Sequence, residues 1–500
     1  MQKRVQKGEQ MGSTYKHSIH TKRKKTKGIK AETCTGVVQL VIGTAPVNTL
    51  EDPQAAVNKP LVLEEKEDVQ RLLGITNETE RYTIMHSVHA SFDKHAVSPL
   101  IVINVLDPSC PAHTEAVAGT EYQVQKMVAK VEDTGILLDK VVVSDGSTEY
   151  KRDEDYLLSF SQEGFLVVAL TEDGALKDAA KINVAYTKLN TEGVTPDDII
   201  GGIDREGIRS GIEAINDVYP ETGLIPTLVL APVFSADPSV AAVLEAKVQN
   251  IYGMFNGRAV LDVDCTADGA DTLQKISGTR EKKVPYSRWC DACWPMAKSD
   301  GMVLAFSSFA AALMQSVAID NSDVPSDSID NYDLLIDGIC TADGKTVRIT
   351  QDEANDYLNA IGLYTAIRMP GWKAWGNNST AYPKSKDPVE RCSNSVAMLN
   401  YLENRFKTEC FPMIGRNADH KKIQSIVDSF NMTLNSLTPD HIAGGEIIFD
   451  RKKNPISSIV DGKVKFSTKF ATYNPMEYIE NEFEYDVSVL EAALEGGSGE

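Results

Sequence analysis

Long apolar runs are almost absent from this 500-residue chain. The one candidate, Gly301 to Ile319, carries no charge but is interrupted by Ser307, Ser308, Gln315 and Ser316 and bounded by Asp300 and Asp320. Acidic flanks and polar interruptions make it a buried strand and helix, not a membrane span. The basic start is followed by polar residues and not by the apolar stretch of a secretory leader, so no cleavable signal is expected and the chain is expected to mature in a cytoplasm. Cysteine is scarce as well: eight residues fall far short of a disulfide scaffold. Only Cys290 and Cys293 lie close together. A structural zinc would require a second pair, yet Cys392 and Cys410 stand eighteen apart with no histidine at ligand spacing, and a redox pair would open a helix. The pair reads as buried structural thiols.

Catalytic signatures are missing too. There is no Gly-x-Ser-x-Gly elbow, no His-Glu-x-x-His and no Gly-x-Gly-x-x-Gly. The nearest phosphate-loop candidate, Gly338 to Thr346, places five residues between its glycines where the loop needs four, so Asp343-Gly344 reads as a hairpin turn. His86, His89 and His95 fall on or near one helix without acids or cysteines at ligand spacing, and read as packed or solvent-facing. Trp372 and Trp375 flank Lys373; a stacking platform is the alternative, core or interface anchoring the commoner use. No catalytic residue, cofactor site or metal ligand is expected.

What is present is an ordinary folded composition, 42% hydrophobic and 24% charged, in a length that corresponds to about three domains. Lys plus Arg number 51 against 71 Asp plus Glu, a formal charge of −20 that speaks against nucleic acid or an anionic membrane as partner. The charge is polarised. Residues 1–30 hold ten Lys/Arg and only Glu9, a solvated basic arm, whereas residues 477–500 hold eight acids and no base.

Val37 to Ile42 and Leu100 to Leu106 read as buried strands, joined by a helix over Arg81 to Phe92 whose apolar residues recur at three-and-four spacing. From 120 to 190 short apolar pieces separated by turn residues read as a small all-β insertion, closed by the linker Thr191 to Pro196. After 200, helix Asp204 to Val218, strand Thr227 to Val233, helix Ser239 to Phe255 and strand Ala259 to Val263 argue for an α/β layer over a partly parallel sheet. Thr350 to Glu353 is a capping-box start for a helix through Tyr364, stopped by Pro370-Gly371. Two further helices are expected over Asn394 to Glu409 and Asp419 to Leu437, then a hairpin turning at Asp461-Gly462.

The last stretch alternates most regularly. Ile479, Asn481, Phe483, Tyr485, Val487 and Val489 interleave with Glu480, Glu482, Glu484, Asp486 and Ser488, a period of two with one acidic face. An exposed strand of this kind either pairs within its own sheet or is donated to a neighbour's sheet by β-augmentation. Donation would join two different surfaces, a head-to-tail contact that builds rings or helical filaments.

Several short segments, in this order, resemble the contractile tail sheath proteins of bacteriophages and related injection machines. They are Val41-Ile-Gly-Thr-Ala-Pro46, Pro60-Leu-Val-Leu63, Leu72-Leu-Gly74, Leu100 to Asp107, Asp204-Arg-Glu-Gly-Ile208 opening a helix, Leu228 to Pro232, and Gly371 to Asn377. The resemblance covers most of residues 31–490. It implies a multi-domain α/β protein: a subtilisin-like core without protease function, an inserted β-rich domain, an α+β C-terminal domain and extended terminal arms. On this chain the divisions would be a basic arm 1–30, core 31–119, insertion 120–195, core 196–349, C-terminal domain 350–475 and acidic arm 476–500. It implies a non-enzymatic subunit without cofactor, forming stacked hexameric rings around an inner tube protein, with baseplate and tail terminator proteins as further partners. Its place would be the tail of a virion or tail-like particle assembled in a bacterial cytoplasm. Ile479 to Val489 would be the inter-subunit arm, while the basic residues 1–30 depart from the usual short, neutral start. The alternatives are another self-assembling lattice protein, a capsid or surface-layer subunit, and a hydrolase with an unrecognised acidic pocket.

Overall fold

The apolar runs of the first hundred residues become neighbouring strands of one sheet. In the computed structural model, which describes residues 32–33 and 36–495, β1 (Gln39–Gly43) is buried at every position. β2 (Pro60–Leu63) forms an edge, and α1 (Thr83–Val88), continued by a π-helical turn over His89–His95, leads to β3 (Leu100–Asn104). β1 and β3 pair in parallel with Val41 opposite Val102. Parallel neighbours cannot be closed by a tight turn, so the intervening helix supplies the crossover.

The chain then leaves the sheet for the all-β insertion. Its strands are β4 (Thr114–Gln123), β5 (Val128–Val131), β6 (Val142–Ser144), β7 (Tyr156–Phe160), β8 (Leu166–Leu170) and β9 (Lys181–Leu189). They form two three-stranded antiparallel sheets in the orders β5-β8-β7 and β4-β9-β6. Val131, Val143, Leu166, Val168, Ile182 and Val184 belong to an apolar cluster of their own. The division anticipated between 119 and 120 falls in the middle of β4, because β4 follows its partner β9 from Thr114 opposite Leu189 to Gln123 opposite Lys181.

Back in the main layer come β10 (Leu228–Leu230), α2 (Pro238–Val248), β11 (Arg258–Asp262), β12 (Cys290–Cys293), α3 (Phe306–Asp320), β13 (Leu363–Arg368) and β14 (Trp372–Trp375). The sheet order is β14-β13-β12-β11-β10-β1-β3-β2. Six inner strands run parallel, and antiparallel β14 and β2 close the two edges. Buried on both faces, such strands read as continuous apolar runs, and Leu228-Val-Leu does. Gly301 to Ile319 is the short strand Met302–Leu304 followed by α3, as its polar interruptions implied. No helix among the described residues is long and apolar enough to cross a membrane.

The C-terminal part adds α4 (Ser393–Cys410), α5 (His420–Ser436), β15 (Ile442–Ile448), the short α6 (Ile456–Val460) and β16 (Ser467–Thr472). Met398, Leu402, Phe430, Leu434, Ile442 and Ile447 join helices and hairpin in a third cluster. Phe406 meets Phe430 nearly edge-on at 5.1 Å between ring centres. The start of α4 is locked to the main sheet: the Arg258 guanidinium donates to the Ser393 carbonyl at 2.7 Å and pairs with Asp291 at 3.0 Å. Both charged side chains are buried.

Three local expectations are overturned. Asp204 to Val218 is not one helix. The Asp204 carboxylate accepts the N–H groups of Glu206 and Ile208, both at 2.8 Å, and Gly207 takes φ +85°. These local bonds close a hairpin between Gly202–Ile203 and Arg209–Ser210, and a 3-10 turn at Gly211–Ala214 then leads into an α-helix at Ile215–Thr222. The helix capped by Thr350 and Glu353 ends at Tyr357, Gly362 turns the chain at φ +74°, and Leu363 and Tyr364 become buried β13 residues beside β12. Pro370-Gly371 lies in the β13–β14 turn, so the sheet extends past the division anticipated at 349/350. Asp461-Gly462 ends α6 and is not a hairpin turn; the hairpin is β15 with β16.

Candidate assembly surface

The residues with the look of chemistry are occupied by structure. Cys290 and Cys293 are strand residues of the sheet interior, and burial pushes both thiols well above their ordinary pKa. Thr341 N–H donates to the Lys345 carbonyl at 3.0 Å and Gly344 takes φ +78°, so the phosphate-loop candidate is a hairpin turn. His86 is buried, accepts from the Ala305 N–H at 3.1 Å, and is held down at about 4 by desolvation. His89 does have acids beside it, Asp93 at 3.1 Å and Asp300 at 3.6 Å. Asp93, one turn on from His89, was within reach of spacing and contradicts the expectation of no acid there; Asp300 was not, because it arrives from 211 residues away. The indole N–H groups of Trp372 and Trp375 are spent on the Asp337 carbonyl and on Asn355, at 3.0 and 2.8 Å. Among the described residues no group of three or more His, Cys, Asp or Glu is arranged to hold a metal ion.

Two buried carboxylates, Asp262 and Asp291, are pushed upward by desolvation, as a catalytic pair would be. Each has a structural task. Asp262 accepts from Ser307 N and Oγ at 2.9 and 2.7 Å and from Val233 N at 3.0 Å, tying the start of α3 to the end of β10. Asp291 pairs with Arg258 and accepts from Ser393 Oγ.

The unusual feature lies at the C-terminus. Beyond Thr472 the chain has no regular structure until α7 (Val487–Glu495), and it is exposed from Met476 to Leu494. Ile479 is 78% exposed, Phe483 92% and Tyr485 79%, with Asn481, Val487 and Val489 exposed beside them. The expected strand is therefore not formed here: Ile479, Asn481, Phe483 and Tyr485 lie in irregular chain, and Val487 and Val489 are helical. An isolated strand has no ladder to join, whereas Asp486 caps the following turn by accepting from Ser488 N and Oγ at 2.9 and 2.6 Å. Only the root is held. Asn394 donates to the Tyr473 carbonyl at 3.0 Å and Arg391 pairs with Glu477 at 2.5 Å.

A partner for such a segment is present in kind. β15 and β16 form a two-stranded sheet, so among the described residues each strand has an edge without a neighbouring strand. Sequence reasoning singled out the exposed segment by its alternation but not this open sheet edge, nor Arg391 and Asn394. The block Arg451-Lys452-Lys453 beside Ile456 and Ile459 was its one visible trace. The basic residues 1–30 lie outside the described residues.

No family model matches the sequence. The tail sheath protein of Burkholderia phage BcepMu is 24% identical over 508 aligned positions, covering 98% of this chain and all of that protein. The tail sheath protein of Escherichia phage P2 is 22% identical over 318 positions, 62% of this chain and 74% of that one. Among solved structures, a chain of the anti-feeding prophage baseplate is similar with a TM-score of 0.56 at 13% identity, covering 95% of this chain and 100% of that chain. A chain of the PVC extracellular contractile injection system sheath, in its contracted state, gives 0.55 at 11% identity, with 96% and 100% covered.

Proposed function

We propose that this chain, which belongs with the contractile tail sheath proteins, polymerises as stacked hexameric rings around an inner tube and contracts to drive that tube through a target envelope. It is a structural subunit and not an enzyme. The observation that carries the reading is the C-terminal arm: a regularly alternating apolar and acidic segment, exposed from Met476 onward and tethered at its root through Tyr473, Asn474 and Glu477. Donated to a neighbour's sheet, it would gain the ladder and the burial it lacks in the single chain. Donor and acceptor are different surfaces, so the contact propagates head-to-tail.

In this mechanism the extended sheath is a metastable lattice of rigid bodies joined by arms, and contraction gains subunit contact without nucleotide hydrolysis. The parallel sheet and its helices act as the subtilisin-like core, the β insertion projects from it, and the C-terminal part faces the tube. The inner tube, baseplate and tail terminator proteins are the partners; a baseplate chain among the structural relatives supports the second. The particle is a phage tail or tail-like device assembled in the host cytoplasm. The net charge of residues 1–30 is opposite to that of 477–500, so attraction between these charges would favour assembly and raised salt should weaken it.

Negative-stain microscopy of the purified full-length chain tests this. Hollow cylinders are expected at high concentration, and deletion of residues 477–490 should leave folded monomers that do not polymerise. Normal cylinders from the deletion would remove the arm's role. Failure of the intact chain to form any would remove the sheath reading.

A further inference from the structure

The loop between α2 and β11 meets α4, and an amide, an amine and a carboxylate converge there. Asn256 is buried at the end of that loop, two residues before β11. Asn404 of α4 clamps its backbone: Asn404 Oδ1 accepts from Asn256 N at 2.8 Å, and Asn404 Nδ2 donates to the Asn256 carbonyl at 2.7 Å. The Asn256 side chain faces Glu403 and Lys407, which stand one helical turn apart on α4, both half-buried. Lys407 Nζ donates to Asn256 Oδ1 at 3.1 Å, and Asn256 Nδ2 donates to Glu403 Oε2. An ammonium only donates and a carboxylate only accepts, so the two neighbours fix which end of the amide is oxygen.

We propose that Lys407 and Asn256 join in a self-formed isopeptide cross-link, with Glu403 as the proton carrier. The amine lies against the carbonyl end of the amide, where its hydrogen bond polarises Cγ, and the carboxylate lies against the nitrogen that has to leave. Desolvation holds the Lys407 amine below its ordinary pKa, against the opposing Glu403 charge, which favours the neutral nucleophile. Glu403 takes a proton from Nζ, and the neutral nitrogen attacks Asn256 Cγ. The Nζ–Cγ bond forms, the Cγ–Nδ2 bond breaks, and Glu403 passes the proton to Nδ2, which departs as ammonia. The second proton given up by Nζ goes to solvent, and no oxidant, reductant or further reactant is needed. The competing cyclisation of Asn256 onto the next backbone nitrogen is opposed, because the Gly257 N–H donates to the Val248 carbonyl at 2.7 Å. The bond would tie the main sheet to the C-terminal part between residues 151 positions apart, on the helix that Arg258 holds at its start. It is independent of how copies assemble.

Mass spectrometry of the denatured full-length chain tests this. The intact mass should fall short of the sequence mass by one ammonia, about 17 Da. Trypsin should skip Lys407 and release one branched peptide carrying both Asn256 and Lys407. The full sequence mass, retained after incubation at neutral pH, overturns the cross-link. Loss of ammonia with Lys407 still cut by trypsin, and with hydroxylamine cleaving the chain after Asn256, assigns the loss to a succinimide with Gly257 and overturns it as well. K407R should keep its full mass, and a K407R chain that still loses ammonia overturns the assignment of Lys407. E403Q should also keep its full mass, while E403D, which retains an acid, should regain the link in part. A link in E403Q at the wild-type rate, or none in E403D, overturns the proton-carrier role.

Discussion

β1 and the C-terminal arm are both short apolar segments, and they end in opposite conditions. Val41 lies in the middle of β1, a continuous buried run between parallel neighbours, whereas Phe483 is 92% exposed in a segment that alternates regularly. Strand propensity is realised only where a ladder and a packing surface are available, and the single chain supplies both to β1 and neither to the arm. Burial of one large apolar side chain contributes about 1.5–3 kcal/mol. The core has already gained this, while Ile479, Phe483, Tyr485, Val487 and Val489 of the arm remain exposed in the single chain.

The sharpest way to break this contrast is at the lock between sheet and α4. Arg258→Ala leaves Asp291 buried without its cation and should cost about 3–5 kcal/mol in urea unfolding. Leu40→Ala opens a cavity beside β10 and should cost about 2–5 kcal/mol. Phe483→Ala should move the unfolding midpoint of the monomer by no more than about 0.5 kcal/mol while impairing assembly. Equal destabilisation by the last two would mean that the arm is part of the core.

Acid should separate the regions further. An unfolded imidazole titrates near about 6.5, whereas His86 and His95 are held at about 4 by desolvation. The unfolded chain therefore binds protons that the folded chain refuses. Stability is complete above pH 6.5 and is lost as pH falls from 6.5 towards 4, on the order of 3 kcal/mol per histidine. Urea midpoints across that range should fall, and H86Q should flatten the slope. The smallest effect belongs to the arm's root. Glu477→Gln weakens a partly exposed ion pair and should change unfolding by about 0.2–1 kcal/mol, yet speed limited proteolysis within 478–486.

Where a segment's own periodicity matched its final burial, the sequence was sufficient. The buried runs of β1 and β3, the amphipathic faces of α4 and α5, the insertion's short alternating strands and the acid-bounded Gly301 to Ile319 all fell in their expected classes. Misreadings came where a few local bonds or a distant neighbour decided. The Asp204 carboxylate closed a turn inside a helical pattern, and β12 drew Leu363 and Tyr364 out of a helix and into the sheet. The alternating half of the candidate surface was legible, because a period of two is a property of consecutive residues. The open sheet edge was not: on it Asn431 meets Ile447 from 16 residues away, and Arg258 reaches Ser393 across 135. Alternation and charge along the chain therefore determined what the arm is made of. The tertiary structure alone decided that it stays unpaired and that an edge stands open, because pairing and burial depend on which distant segments the fold brings together.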